Sequence, residues 1–317
     1  MIIKKRGYGL IAILLICSML GSVMLTAMAQ TTNSSGNIGS WQPPQNFVDP
    51  VTLKIQEFRS QGLSDEQITA KLSDIGMGWY PQTGATWLGR SLSAEELAKM
   101  PTVVPVNASN ESQEPNMPLD MSERVSSMRT SSYSWTGVTA EITANSMSSS
   151  SGQTQYNYLC MQLGDLDGTT NWAETVLTHN AGETYKWYTY DSDEGGLSYY
   201  MDKNTASNAA DTYVIMLDGT YSGGWKYDVW INYQWVRSAH LSSLWVQAGL
   251  QKEVYSSTGQ FSNDASHAVY YRNWLHNAGG WSYWTNTVGS KWSATYPVHE
   301  THSMGAVSYD WETWVQN

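Results

Sequence analysis

Residues in the second half of the chain alternate between apolar and polar side chains with a period of two, which is typical of β-strands. Residues 136–143 alternate in this way, and residues 225–235 do so over a longer span. Residues 211–217 form an apolar run typical of a buried strand. Turns rich in Gly, Asn, Ser and Asp separate such runs by roughly 10–20 residues. The pattern predicts an all-β domain, an antiparallel β-sandwich or jelly roll of the concanavalin-like kind.

A small helical segment is predicted upstream of this domain. Asp49 is placed to cap a first helix, which Gly62 ends. Capping boxes at Ser64–Gln67 and Ser93–Glu96 predict two further helices, with a turn-rich stretch over residues 76–89 between them. Because these helices are too small to bury a sizeable core of their own, we expect them to pack on the β domain.

The first 29 residues have the features of an export signal. Residues 4–6 are basic, residues 10–25 are apolar, and residues 27–29 form a small-residue cleavage site. An uncleaved membrane anchor is the alternative, because the apolar stretch approaches the ~20 residues needed to span a bilayer. We predict a cleaved signal peptide and a secreted protein without stable membrane association.

A Pro- and Ser-rich stretch over residues 101–132 has the composition of a linker. Its Arg124 and Arg129 are candidate processing points or solvated side chains. The predicted organisation is therefore a signal peptide over residues 1–29, a helical prosegment and linker over residues 30–130, and a catalytic β-sandwich domain over residues 131–317.

The chain is acidic, with a net charge of −11 over 317 residues. From residue 131 onward, seven Lys and Arg stand against seventeen Asp and Glu. This balance argues against nucleic acid as a partner, since nucleic-acid binders need clustered positive charge. It favours function at low pH, where part of the negative charge is neutralised. Cys160 is the one cysteine beyond the signal segment, and we expect a small buried residue rather than a nucleophile.

Two glutamates of the β domain lie on predicted strands with polar or aromatic neighbours on the same face. Glu174 shares its face with Trp172, and Glu253 shares its face with Gln251 and Tyr255. A carboxylate in such surroundings is suited to a polar cleft, and two of them facing each other would form an acid/base pair. For either glutamate alone, a solvated strand position is the alternative.

A close pair of carboxyls can catalyse hydrolysis without a metal or a covalent nucleophile. The two groups cannot both ionise easily, so one pKa rises while the other falls. The ionised group can then activate water, and the protonated group can polarise the scissile carbonyl and protonate the leaving amine. We therefore expect no cofactor. His299 and His302 are one residue too close for a zincin helix motif, and the sequence has no Gly-x-Ser-x-Gly elbow.

Tryptophan is concentrated in the β domain, where thirteen of the sixteen lie after residue 130. Core packing is the simpler explanation for most of them, and stacking on sugar or proline rings is the functional one. Trp172 and Trp187 are the two that we place near a cleft.

The β domain resembles the neprosin family of glutamic peptidases over most of residues 135–310. The first catalytic block of the family is similar to residues 171–177 and 183–191, and the second to residues 248–254. Further similar segments are the opening strand (135–142), the tryptophan-rich middle (224–230 and 232–235) and the segment near the end (299–305). The resemblance implies Glu174 and Glu253 as catalytic residues. From their place beside these glutamates or a cleft, we expect Trp172, Trp187, Gln251 and Tyr255 to bind the substrate.

The resemblance also implies a secreted precursor whose prosegment is an intramolecular inhibitor, and a polypeptide as substrate. The chain departs from the family in lacking cysteines over residues 191–200 and in carrying Thr-Val-Leu directly after Glu174. The substrate pocket is therefore expected to differ, including any preference for proline. We expect a monomer. A jelly-roll glycoside hydrolase with two glutamates and a non-catalytic carbohydrate-binding sandwich are the alternatives.

Overall fold

The computed structural model describes residues 41–99, 123–144, 155–167, 171–180, 184–193, 196–203, 210–244, 246–285, 291–304 and 309–317. The predicted signal peptide over residues 1–29 lies outside this part of the chain. From Gln42 to Asn317 the chain forms a single compact unit. None of its described helices is long and apolar enough to cross a membrane.

Three helices and eighteen strands occupy the described residues. In chain order they are α1 (Pro50–Ser60), α2 (Asp65–Asp74), β1 (Met77–Trp79), β2 (Thr86–Leu88), β3 (Arg90–Ser91), α3 (Ala94–Lys99), β4 (Glu123–Thr130), β5 (Gly137–Thr143), β6 (Gln155–Asp165), β7 (Asn171–Asn180), β8 (Lys186–Asp191), β9 (Gly196–Asp202), β10 (Asp211–Tyr221), β11 (Gly224–Ile231), β12 (Gln234–Leu241), β13 (Gln247–Ser256), β14 (Ala268–Asn277), β15 (Gly280–Tyr283), β16 (Lys291–Ala294), β17 (Val298–Met304) and β18 (Tyr309–Val315).

The strands form two antiparallel sheets. The ten-stranded sheet has the order β1-β2-β12-β11-β10-β5-β14-β18-β17, with β15 paired to β14. The eight-stranded sheet has the order β16-β4-β13-β6-β7-β8-β9-β3. The predicted fold class, an antiparallel sandwich preceded by a small helical segment, is confirmed.

Alternation along the strands gives the eight-stranded sheet two different faces. On β6, Leu159, Met161 and Leu163 pack toward the ten-stranded sheet in the main core cluster. Tyr158 and Cys160 of the same strand belong to a separate cluster. Because successive side chains of a strand point to opposite faces, this second cluster lies on the face turned away from the main core. We call it the outer face, and it carries the candidate site described below.

The three helices begin where the capping signals predict. The Asp49 carboxylate accepts a 2.8 Å hydrogen bond from the backbone N–H of Thr52. Ser64 and Gln67 form both bonds of a capping box, and Glu96 accepts a 2.9 Å bond from the backbone N–H of Ser93. These caps satisfy N–H groups that a helix leaves unpaired at its start.

The segment over residues 42–99 packs on the sandwich, as we expected, and it also pairs with both sheets. Residues 76–89, for which the sequence predicts turns, contain the hairpin of β1 and β2, and β2 pairs with β12. β3 pairs with β9 at the edge of the eight-stranded sheet. Phe47 packs on Trp230, with ring centroids 4.8 Å apart. The segment therefore completes one edge of each sheet.

Two expectations about strands were wrong. Residues 225–235 form two strands rather than one, because Asn232 and Tyr233 adopt left-handed backbone angles (φ 50° and 63°) and turn the chain back on itself. Residues 123–130, which we assigned to the linker, form β4 between β13 and β16. Arg124 and Arg129 therefore lie on a strand of the sandwich, and Arg129 is fully buried.

Candidate active site

Glu174 and Glu253 lie on the outer face of the eight-stranded sheet, on strands separated by one other strand. β7 carries Glu174, β13 carries Glu253, and β6 runs between them. In the register of the sheet, Gln162 of β6 is opposite Glu174, and Tyr158 of β6 is opposite Glu253. Neighbouring strands are about 4.8 Å apart, so β7 and β13 are about 10 Å apart.

Two glutamine side chains connect the carboxyls. The Gln162 amide Nε2 donates to Glu174 Oε2 at 2.8 Å and to Gln251 Oε1 at 2.9 Å. The Gln251 amide Nε2 in turn donates to Glu253 Oε1 at 2.7 Å. The sequence suggests two carboxyls facing each other, whereas the structure links them through this pair of amides.

Glu253 is surrounded by hydrogen-bond donors. The Arg124 guanidinium forms an ion pair with Glu253 Oε1, and the Tyr255 hydroxyl donates to Glu253 Oε2 at 3.0 Å. Burial raises the pKa of Glu253, and the positive charge and hydrogen bond of Arg124 act in the opposite direction. Donors to both oxygens favour the ionised carboxylate.

Glu174 has only neutral donors among the contacts described. Gln162 and the indole Nε1 of Trp172, the latter at 3.3 Å, both donate to Glu174 Oε2. Within the described part of the chain, Glu174 Oε1 is buried without a hydrogen-bond partner. Burial raises the pKa of Glu174 well above its usual range, and the negative charge of Glu253 raises it further. These surroundings favour the protonated acid.

Aromatic rings flank the two carboxyls on the outer face. Trp172 stacks on Tyr190 with ring centroids 5.0 Å apart, and Tyr158 meets Tyr255 edge-on at 5.7 Å. Cys160 belongs to the same cluster, as a free and buried thiol whose pKa burial raises well above its usual range. A thiol in that state is a poor nucleophile. Glu174 and Glu253 are both 0% exposed, so the site is closed in this structure.

One predicted substrate-binding residue lies elsewhere. Trp172, Gln251 and Tyr255 are hydrogen-bonded to the two glutamates, as described above. Trp187 instead belongs to the main core between the sheets, where its indole Nε1 donates to the Tyr213 hydroxyl at 2.9 Å. It is opposite Leu177, an odd number of positions from Glu174, so its side chain points to the other face of the sheet.

Three residues of this face were missed from the sequence. The alternation of its strand predicts that Gln162 shares a face with Cys160, two positions before it, but not that this face carries the two glutamates. Nothing in the sequence indicates that β6 runs between the two glutamate strands. Tyr190 faces the same side as Glu174 but belongs to a run of aromatic residues. Arg124 was missed because its polar, proline-containing surroundings resemble a linker.

The histidines near the end of the chain lie on a strand. β17 contains both His299 and His302, which excludes the helical arrangement of a zincin motif. The His299 Nε2 donates to the backbone carbonyl of Gln316 at 2.9 Å. Among the described residues, no three His, Cys, Asp or Glu side chains are grouped so that they could hold a metal ion.

No protein-family model and no curated protein matches the chain. Among solved structures, a scytalido-glutamic peptidase bound to a peptide-based transition-state analogue is similar at 12% identity and a TM-score of 0.41, over 60% of this chain and 98% of that chain. SCP-B, a member of the Eqolisin family of peptidases, is similar at 12% identity and 0.38, over 60% and 97%. A β-glucanase of Bacillus licheniformis is similar at 10% identity and 0.27, over 61% and 78%. Similarities this low do not assign a function, which has to come from the site.

Proposed function

We propose that this chain is the precursor of a secreted, acid-acting glutamic endopeptidase of the neprosin-like kind. The observation that carries the proposal is the arrangement of Glu174 and Glu253, two fully buried glutamates on one sheet face that Gln162 and Gln251 connect. Glu253 accepts hydrogen bonds from donors that include a cation, whereas the donors to Glu174 among the described residues, Gln162 and Trp172, are neutral. Such an asymmetric pair of carboxyls can hold one proton between them, which general acid–base hydrolysis requires.

The reaction we propose is hydrolysis of a peptide bond by water. The water oxygen bonds to the carbonyl carbon while a water proton passes to the ionised glutamate. The C–N bond then breaks as the protonated glutamate gives its proton to the leaving nitrogen. Each carboxyl ends in the other's protonation state, and proton exchange with solvent restores the pair. The residues need no cofactor for these steps.

The closed site supports a precursor in which the segment over residues 42–99 is inhibitory. Leu92 of this segment belongs to the same apolar cluster as Trp172 and Tyr190 on the outer face. Because both carboxyls are inaccessible to solvent, a polypeptide can reach them only after part of the structure opens. Release of the segment is the opening step that we propose.

The test is a digest of a denatured protein at acid pH beside a panel of polysaccharides, with the wild type and the Glu174→Gln and Glu253→Gln variants. We expect the wild type to cleave the protein after acid incubation and both variants to be inactive. Hydrolysis of a polysaccharide instead would identify a glycoside hydrolase. Polysaccharide binding that survives both substitutions, without hydrolysis, would identify a binding module.

A further inference from the structure

Arg124 approaches Glu253 from the neighbouring strand β4. Arg124 is opposite Tyr255 in the register of β4 and β13, which places it diagonally across from Glu253. Its guanidinium forms the ion pair with Glu253 Oε1 and lies 5.9 Å from the centre of the Tyr255 ring. The Arg124 side chain is 13% exposed and that of Glu253 is 0% exposed. The pair is thus largely withdrawn from water, where a charge has a strong effect on its neighbour.

Within the part of the chain that the structure describes, the other titratable groups that face Glu253 carry no positive charge. Cys160 and Tyr158 of β6 and Tyr255 of β13 are buried, and burial raises the pKa of each well above its usual range, so all three stay neutral. Glu174 of β7 faces Glu253 through the two glutamine amides. Among these groups, only Arg124 can favour the carboxylate form of Glu253 by charge.

We propose that Arg124 is a positioning residue that keeps Glu253 ionised, and that it thereby makes Glu253 the general base and Glu174 the general acid. The inference rests on the proposed function and assigns a role to each carboxyl. The water proton goes to Glu253, and Glu174 protonates the leaving nitrogen. Because Arg124 lies upstream of residue 131, the active enzyme must retain β4.

The experiment titrates the glutamates directly in the precursor. Protein labelled with ¹³C at the glutamate carboxyl carbon is titrated by NMR, and the resonances are assigned with the Glu174→Gln and Glu253→Gln variants. In the wild type, Glu253 should ionise at a lower pH than Glu174. An opposite charge as close to a carboxyl as Arg124 is to Glu253 lowers the pKa of that carboxyl by about 1–3. Arg124→Gln should therefore raise the titration midpoint of Glu253 by about that amount, while Arg124→Lys should restore most of the wild-type value.

Activity supplies a second measurement. In Arg124→Gln the acid limb of the kcat/KM profile should move to higher pH by the same amount as the NMR midpoint, and Arg124→Lys should move it less. Arg272→Gln is the matched control, because Arg272 pairs with Glu141 on the other sheet at 2.8 Å. Arg272→Gln should leave both the titration midpoint of Glu253 and the acid limb of the kcat/KM profile unchanged.

Three results would overturn the inference. The first is a wild type in which Glu174 ionises before Glu253, a result that does not depend on whether Arg124→Gln folds. The second is an active Arg124→Gln enzyme whose Glu253 midpoint is unchanged. The third is an Arg272→Gln control that shifts as much as Arg124→Gln. A wild type in which Glu253 ionises at a lower pH than Glu174, but which cleaves no peptide after acid activation, would instead refute the proposed function. The catalytic roles of the two glutamates would be refuted with it.

Discussion

Replacement of Glu174 by glutamine should slow catalysis by orders of magnitude while leaving the fold intact. The side chains have nearly the same size, and the glutamine oxygen can accept the bonds that Gln162 and Trp172 donate at 2.8 and 3.3 Å. The amide cannot give up a proton to a leaving group. Acid–base catalysis contributes about 10²–10⁴ in rate, and each factor of ten is about 1.4 kcal/mol. We therefore expect kcat/KM to fall by about that factor, or about 3–5 kcal/mol in transition-state stabilisation.

The same substitution should have a stability effect whose size depends on pH. The folded-state pKa of Glu174 is raised, so the folded protein holds a proton that the unfolded chain releases. The free energy of unfolding of the wild type therefore falls as the pH rises above the usual range of a glutamate. The loss is about 1.4 kcal/mol for each tenfold difference in proton affinity between the folded and unfolded states. Glutamine has no such dependence. Relative to the wild type, Glu174→Gln should melt at a similar temperature at pH 4 and at a higher temperature at pH 8.

The assays are cleavage of a denatured protein at acid pH and thermal melting by circular dichroism at the two pH values. Glu141→Gln is the control, since Glu141 lies on the other sheet and contacts Arg272. The double variant Glu174→Gln/Glu253→Gln should lose little more activity than either single variant, because residues that act as a unit are not additive. Folded Glu174→Gln protein with near-normal proteolysis would refute the reasoning, and so would an equally inactive Glu141→Gln protein.

Three other predictions follow from the site and its surroundings. Chelators, thiol reagents and serine-directed reagents should leave proteolysis unchanged, and loss with a chelator followed by recovery with zinc would contradict the mechanism. Incubation of the precursor at acid pH should shorten the chain to a fragment that starts before residue 123, as measured by mass spectrometry; an active fragment that starts after Arg124 would contradict the need for β4. Burial raises the pKa of Asp228 from 3.8 to about 7, so stability should fall by up to about 4 kcal/mol between pH 4 and pH 7, and Asp228→Asn should flatten this dependence in urea titrations at each pH. An unchanged slope in Asp228→Asn would show that other groups cause it.

Local patterns predicted the fold better than they predicted the site. Alternation identified β5, β10 and the strands of both glutamates, and the caps at Asp49, Ser64 and Ser93 located the helices. Both signals depend on residues close together in sequence. The turn at Asn232 was missed because left-handed backbone conformations are rare outside glycine, and the alternation continues across it.

The site required knowledge of strand order. The sequence shows that Glu174 and Glu253 each lie on a strand with suitable neighbours. It does not show that β6 separates them, so the link through Gln162 was not predictable. Trp187 was placed on the wrong face because aromatic residues occupy both faces of β8: Trp187 lies opposite Leu177, whereas Tyr190 lies opposite Glu174.

The pairing of β2 with β12 and of β3 with β9 would have a further consequence if residues 42–99 are released, as we propose. The strands left at the edges, β12 and β9, would then each have unpaired N–H and C=O groups on the side where β2 and β3 had paired. Unpaired strands at the border of a sheet recruit strands of other molecules. A sandwich that has lost residues 42–99 is therefore prone to join further copies of itself. We therefore expect the segment, while it stays attached, to protect the sandwich from aggregation.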